Sequence, residues 1–257
     1  NPVLLAWSFC ESLKAPQKGC MPFLPRAACP SIPNEVSKTM SAIIKLLVDY
    51  GDLFLSGLRV TLLLSLFSIV ASTIFGSIIC LLSMSKIPPL KWMCTAYIEI
   101  IRGTPILLQL YFFVFLLPRI LPVNLSNLQA VMLSMSLCAA AYVSELMRAG
   151  IQAVDKGQSE AARSLGLTGK QTMRYIVLPQ AVKNILPALG NEFILIIKDT
   201  SLASIFFIGD LMTVQKTITS SLYLSLEPMA IVGMIYFSLT FVLSKLVRAY
   251  ERRVSVG

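Results

Sequence analysis

The chain has no histidine in 257 residues, which removes the side chain that most often serves as a general base or metal ligand near neutral pH. Its six cysteines form no CxxC pair, so neither a zinc site nor a redox motif is supported. No GxxxxGK(S/T) phosphate loop occurs, and the chain therefore cannot bind ATP in that manner. A membrane enzyme is a weak reading, because no metal cluster or nucleophile elbow is present either. Charge is also scarce, at 14% of residues.

What fills the sequence is apolar. Hydrophobic residues make up 56% of the chain and the mean hydropathy is +0.75, the profile of an integral membrane protein rather than a soluble domain. A hydrocarbon core about 30 Å thick needs roughly 20 helical residues. Stretches at about 57–83, 92–118, 128–149, 176–197 and 226–247 meet that length, and they predict an all-α protein with five transmembrane helices. The net charge is +9, but the basic residues gather in the connections between apolar stretches, which reads as topology rather than nucleic-acid binding. Lys86 and Lys91, then Lys156, Arg163, Lys170 and Arg174, then Arg248, Arg252 and Arg253 fall in alternate connections, against Arg119, Lys198 and Lys216 in the others. This asymmetry predicts a cytoplasmic C-terminus and an N-terminus outside.

Between the third and fourth apolar stretches lies a charged segment, EAARSLGLTGKQTMRYIVLP at 160–179. Asp155 and Gln158 have the spacing of a reciprocal capping box that starts a short helix through Glu160, Ala161, Ala162 and Leu165. Gly166 suits the left-handed position that ends a helix, and Thr168 with Gln171 repeats the capping signature. Two short helices bent at Gly166 are expected.

Glu160-Ala161-Ala162, then Gly166, then Ile176, Leu178 and Pro179 resemble, at every position, the EAA motif of the membrane-spanning permease subunits of ABC importers. The stretches GLRVTLLLS, YIEIIRGTPILLQLYFF, AAYVSELMRAGI, GQSEAARSLG, LPQAVKNILPALGN and KDTSLAS are similar to the polar amino acid permeases of histidine, glutamine and arginine uptake systems, over about 50–250. The resemblance implies a type I importer permease in the bacterial cytoplasmic membrane, with a coupling-helix loop at about 155–175. It implies an extracytoplasmic binding protein that delivers an amino acid, a second permease subunit (a copy or a paralogue) and a cytoplasmic ATPase dimer that carries ATP and Mg. This chain would then hold no cofactor and catalyse nothing, and its non-protein surroundings would be membrane lipid. Gly157, Glu160, Ala161, Ala162, Gly166, Leu178 and Pro179 are its implied coupling residues: Glu160 as the charge that contacts the ATPase groove, the alanines as a close-packing surface, Gly166 as the bend. A rival reading is a passive channel or a membrane scaffold that uses the same loop only to recruit a cytoplasmic partner.

Polar residues within membrane spans are costly and read as functional by default. Arg102-Gly103-Thr104-Pro105 interrupts the second stretch: Gly103 breaks it, Thr104 suits an N-cap and Pro105 the first helical position. A new helix N-terminus inside the span would present N–H groups of the kind that bind carboxylates. The expected substrate pathway is Arg102, Thr104, Pro105, Glu145, Asn184, Asn191, Glu192 and Asp199. Arg102 and Glu145 equally suit structural glue, pairing with each other or with Glu99 to hold helices together. Asn184, Asn191 and Lys198 recur every seven residues on one helical face and equally suit packing against a neighbouring helix.

Residues 1–39 differ from the rest. Pro2, Pro16, Pro22, Pro25, Pro30 and Pro33 disfavour regular structure, and an amphipathic run begins only after Met40. The segment is expected to be an irregular extension dispensable to a transmembrane domain at 40–257. The alternative is an extracytoplasmic segment in which two of Cys10, Cys20 and Cys29 pair.

Overall fold

The computed structural model describes residues 32–85, 87–121 and 124–255. All regular elements among these residues are helical. The chain divides at Ala42/Ile43 into two units, the larger being Ile43–Gly257. Helix α1 (Ile32–Asp49) starts earlier than the proline-rich sequence suggests. Pro33 lies in its first turn, where a missing N–H breaks no helical hydrogen bond, so residues 32–39 are helical and not irregular as expected. Cys10, Cys20, Cys29 and Lys86 lie outside the described residues.

Two long helices form the frame, α2 (Gly51–Ser83) and α6 (Asn127–Gln152). The buried face of α2 is a ridge of small residues three or four apart, Gly57, Thr61, Ser65, Ser68, Ser72, Gly76 and Cys80. Inside a membrane such a face lets two backbones approach closely, because lipid offers no hydrophobic drive between helices. Two of its hydroxyls are satisfied within the helix, Ser65 donating to the Leu62 carbonyl at 3.0 Å and Ser72 to the Ile69 carbonyl at 3.1 Å. The opposite face, with Leu63, Leu66, Val70, Ile74, Ile78 and Leu81 exposed, suits lipid.

The second apolar stretch is broken. Helix α3 (Pro88–Gly103) stops, and a new run of α4 (Ile106–Tyr111), a π-helical turn (Phe112–Leu116) and α5 (Leu117–Ile120) leaves at 109°. After α6 come α7 (Lys156–Ser164) and α8 (Gly169–Thr172), and a second π-turn (Met173–Val177) leads into α9 (Leu178–Asp199). Each π-turn ends two residues before a proline, Pro118 and Pro179. A proline supplies no N–H and its ring clashes with the carbonyl four residues back, and widening the turn relieves both problems without ending the helix. A 3-10 segment (Thr200–Phe206), α10 (Leu211–Leu222) and α11 (Leu226–Ser255) complete the chain. Asp210 caps α10 by accepting from the Met212 N–H at 3.0 Å and from the Thr213 hydroxyl, while Thr61 on α2 accepts from the Leu211 N–H at 3.2 Å.

Among the described residues three helices, α2, α6 and α11, are long and apolar enough to cross a membrane, and a fourth span results if the bent pair counts as one. Helix α9, expected as a span at 176–197, is not among them, so length and composition do not reach the expected five. Its polar residues, Lys183, Asn184, Asn191, Glu192, Lys198 and Asp199, dilute its hydropathy.

Gly76 sets the α2–α6 approach. A Cβ there would lie 2.8 Å from a Val143 methyl and 3.0 Å from the Ala140 carbonyl oxygen, whereas a Cβ on Gly233 of α11 would meet nothing within 4 Å. Gly76→Ala should therefore cost about 1–3 kcal/mol through overpacking and lower the thermal midpoint of the purified protein, with Gly233→Ala neutral or slightly stabilising. Equal melting of the two variants would refute the close-packed interface.

Candidate coupling loop and transport cavity

The loop between α6 and α9 is built by local chemistry. The Asp155 carboxylate caps α7 by accepting from the Gly157 N–H at 2.6 Å, in place of the expected reciprocal box with Gln158. A Cβ on Gly157 would sit 2.9 Å from that carboxylate oxygen, so the small residue keeps the cap close. Helix α7 ends in a Schellman motif, with Gly166 N–H on the Arg163 carbonyl at 3.0 Å and Leu167 N–H on the Ala162 carbonyl at 3.1 Å. Gly166 has φ +88°, the left-handed conformation expected of it. Thr168 and Gln171 form the expected capping box on α8. The second short helix is no separate element, since α8 runs through the π-turn into α9.

This double turn has two sides. Ala162 is buried, and beneath the loop Val154, Val177, Ala181 and Ile185 make a small hydrophobic core with Met147 and Ile151. Glu160, Ala161, Gly166, Leu178 and Pro179 are exposed, and Leu165 is 82% exposed. A large apolar residue beside an unpaired carboxylate on the outer face of a capped helix is an arrangement suited to a protein partner.

At the break in the second span, the expected roles shift by one residue. Thr104 ends α3, and its hydroxyl donates back to the Ile100 carbonyl at 2.9 Å; Pro105 takes the N-cap position of α4. The residue that closes the break is Gln109, only 7% exposed. Its amide nitrogen donates to the Ile101 carbonyl at 2.7 Å and lies 3.1 Å from the Thr104 carbonyl and 2.7 Å from the Thr104 hydroxyl, while its amide oxygen accepts from the Cys138 thiol of α6. Of the carbonyls orphaned by the end of α3, that of Ile100 is taken by the Thr104 hydroxyl and that of Ile101 by the Gln109 amide.

A cavity of about 320 Å³ lies between the break, α6 and α9. Of the residues expected in a substrate pathway, Thr104, Pro105, Glu192 and Asp199 line it, together with Gln109, Cys138 and Tyr142, which sequence reasoning passed over. Arg102 and Glu145 do not. They line a second cavity of about 510 Å³ with Lys91, Glu99, Arg148 and Gln152. There Arg148 grips Glu145 with two hydrogen bonds, at 2.7 and 2.9 Å, and Arg102 reaches the same carboxylate at 3.5 Å while stacking over the Tyr142 ring, 5.7 Å from its centroid. The glue reading of Arg102 and Glu145 therefore describes their geometry. Asn184 and Asn191 are exposed and lie outside both cavities.

Residues 68–256 match the family model of the binding-protein-dependent transport system inner membrane component. The chain belongs to that family. Among similar proteins, this inner membrane component is 38% identical over 200 residues to the arginine transport system permease protein ArtQ of Bacillus subtilis, covering 78% of this chain and 91% of that protein. It is 36% identical over 211 residues to the probable glutamine ABC transporter permease protein GlnM of the same species, covering 82% and 97%. A solved amino acid ABC transporter with histidines superposes with a TM-score of 0.78 at 44% identity, over 80% of this chain and 96% of that one. An inward-facing MetNI methionine ABC transporter shares the fold, with a TM-score of 0.65 at 18% identity, over 79% and 98%.

The inner membrane component should depend on Gln109 for stability. Gln109→Leu leaves buried carbonyls unpaired, at about 1–3 kcal/mol for each unsatisfied group, and Gln109→Glu sets a second acceptor against them. Both variants should melt below wild type in purified form. Wild-type melting of both would show that the amide does not hold the break.

Proposed function

We infer that this chain is the membrane-spanning permease subunit of an ATP-driven importer that carries polar amino acids across the bacterial cytoplasmic membrane. The observation that supports this most directly is the glycine-bent loop with Glu160 and Leu165 exposed, seated on its own core at the ends of α6 and α9. In this reading the loop docks a cytoplasmic ATPase dimer, on which ATP and Mg are bound and hydrolysed. An extracytoplasmic binding protein delivers the cargo, and a second permease, a copy or a paralogue, completes the path. Relatives named for arginine and glutamine support the cargo class.

Helix α9 is the fifth span of this reading, polar because it lines the path. Helix α6 leads into the docking loop on the inner side, the C-terminus lies inside and the N-terminus outside. The cavity at the broken helix is the cargo site, with Thr104, Pro105, Glu192 and Asp199 as its walls. Arg102 and Glu145 hold α3 to α6 beside it, and the Asn184–Asn191 face packs against the second permease.

Charge reversal by Glu160→Lys should abolish co-purification of the ATPase, or the stimulation of its hydrolysis by loaded binding protein, while membrane insertion persists. Gly166→Val, which places a β-branched residue at a left-handed position at a cost of roughly 1–2 kcal/mol, should uncouple in the same way. Wild-type uptake by Glu160→Lys would sink the docking assignment.

Residues 1–39 are proposed to be dispensable, in keeping with a main compact unit that begins at Ile43. A chain started at Met40 should insert and support uptake at the wild-type rate. Loss of either would make the extension part of the transporter.

A further inference from the structure

We propose that the inner end of α11 carries a binding site for anionic phospholipid, with Lys245, Arg248 and Arg252 as the residues that hold the headgroup phosphates. The inference rests on the reading of the chain as a permease with its C-terminus inside. Helix α11 is long enough to cross the hydrocarbon core and enter both headgroup layers: its 30 residues rise about 45 Å, against about 40–45 Å for core and headgroups together. Charge marks where the boundaries fall. Between Glu227 and Lys245 the helix carries no Asp, Glu, Lys or Arg, and that interval rises about 27 Å, close to the thickness of the core. Lys245 therefore sits at the inner edge of the core, with Arg248 about 4.5 Å and Arg252 about 10.5 Å beyond it, at headgroup depth.

The three cations share one face, and it is the face turned to lipid. At about 100° per residue, Phe237, Phe241, Lys245, Arg248 and Arg252 fall within about 80° of one another around the helix. All five are exposed. Phe237 and Phe241 stack with their centroids 5.7 Å apart, and the Lys245 ammonium lies over the Phe241 ring at 5.4 Å, so apolar surface passes directly into basic surface. The other side of the same turns packs inward, where a Cβ placed on Gly190 of α9 would lie 2.6 Å from a Val247 methyl. Among the described residues none of the three cations takes part in an ion pair. From Lys245 to Arg253 the only carboxylate is Glu251, against Lys245, Arg248, Arg252 and Arg253. Basic residues that only set topology need no common face. Gathered on a lipid-facing stripe at headgroup depth, they meet phosphates, and each such residue raises the association constant for an anionic surface about fivefold. Arginine adds a grip through two parallel N–H donors.

The test is native mass spectrometry of the purified permease–ATPase complex, delipidated and titrated in detergent with phosphatidylglycerol or with zwitterionic phosphatidylcholine. Wild type should bind phosphatidylglycerol at least about tenfold more tightly, and raising the ammonium acetate concentration should weaken that lipid alone. The triple variant Lys245→Gln/Arg248→Gln/Arg252→Gln should lose the preference, Arg252→Gln alone should weaken phosphatidylglycerol about fivefold, and the charge-preserving Arg248→Lys/Arg252→Lys should keep most of it. Co-purification of the ATPase reports that each variant is folded. Wild type that binds the two lipids equally, or a triple variant that keeps the preference, would overturn the site. So would a triple variant or Arg252→Gln that sheds the ATPase or the second permease, because the stripe would then be a protein contact. None of these outcomes touches the permease reading, which would fall instead if vesicles holding the whole system, binding protein included, imported no amino acid.

Discussion

A helix can be interrupted at membrane depth only if something replaces the hydrogen bonds that the interruption removes, because lipid cannot. The break after Gly103 meets that condition through Gln109, whose one amide reaches the carbonyls of Ile101 and Thr104 and whose oxygen takes the Cys138 thiol. The cavity exists because of this clasp. A continuous helix through residues 88–120 would project its side chains along one axis. The 109° turn instead sets Thr104, Pro105 and Ile106 against α6 and α9.

The helices that wall the cavity also carry the loop. Helix α6 contributes Met135, Cys138 and Ala139 to the cavity and ends two residues before Val154, while α9 contributes Glu192 and Asp199 and begins beside Val177. Val154, Val177, Ala181 and Ile185 lock these ends together under α7, and Gly150 lies so close to Ile185 that a Cβ would come within 2.4 Å of it. Close-packed interiors transmit displacement instead of absorbing it. In the proposed mechanism, a force on the Glu160 face therefore moves the cavity walls, with no separate relay required.

Legibility from sequence followed the range of each interaction. The Thr168–Gln171 box and the left-handed Gly166 were readable because capping and turn chemistry act within a few residues. The break at Gly103 was readable for the same reason, though Thr104 closes α3 rather than opening α4. Gln109 was not, since its contact with Cys138 spans 29 positions and a lone glutamine in an apolar run leaves no periodic signal. The pairing of Arg102 with Glu145 was within reach as one of several partnerships, but which cavity the pair lines depends on the bend angle, and no local pattern encodes an angle. The start of α1 was missed because proline was counted as a breaker, when in a first turn it is permitted.

The separation of the two cavities then has an electrostatic meaning. Glu145 is bound in bidentate fashion by Arg148 and touched by Arg102, so the charges beside α3 largely cancel before they can act at a distance. Tyr142 lines the smaller cavity, and its ring carries the Arg102 guanidinium, which keeps that cation stacked on aromatic surface rather than paired with Glu192 or Asp199. Glu145 holds Arg102 against α6, and among the described residues no ion pair joins Glu192 or Asp199. The pair that reads as structural glue therefore also keeps the Arg102 cation out of the lining of the neighbouring cavity.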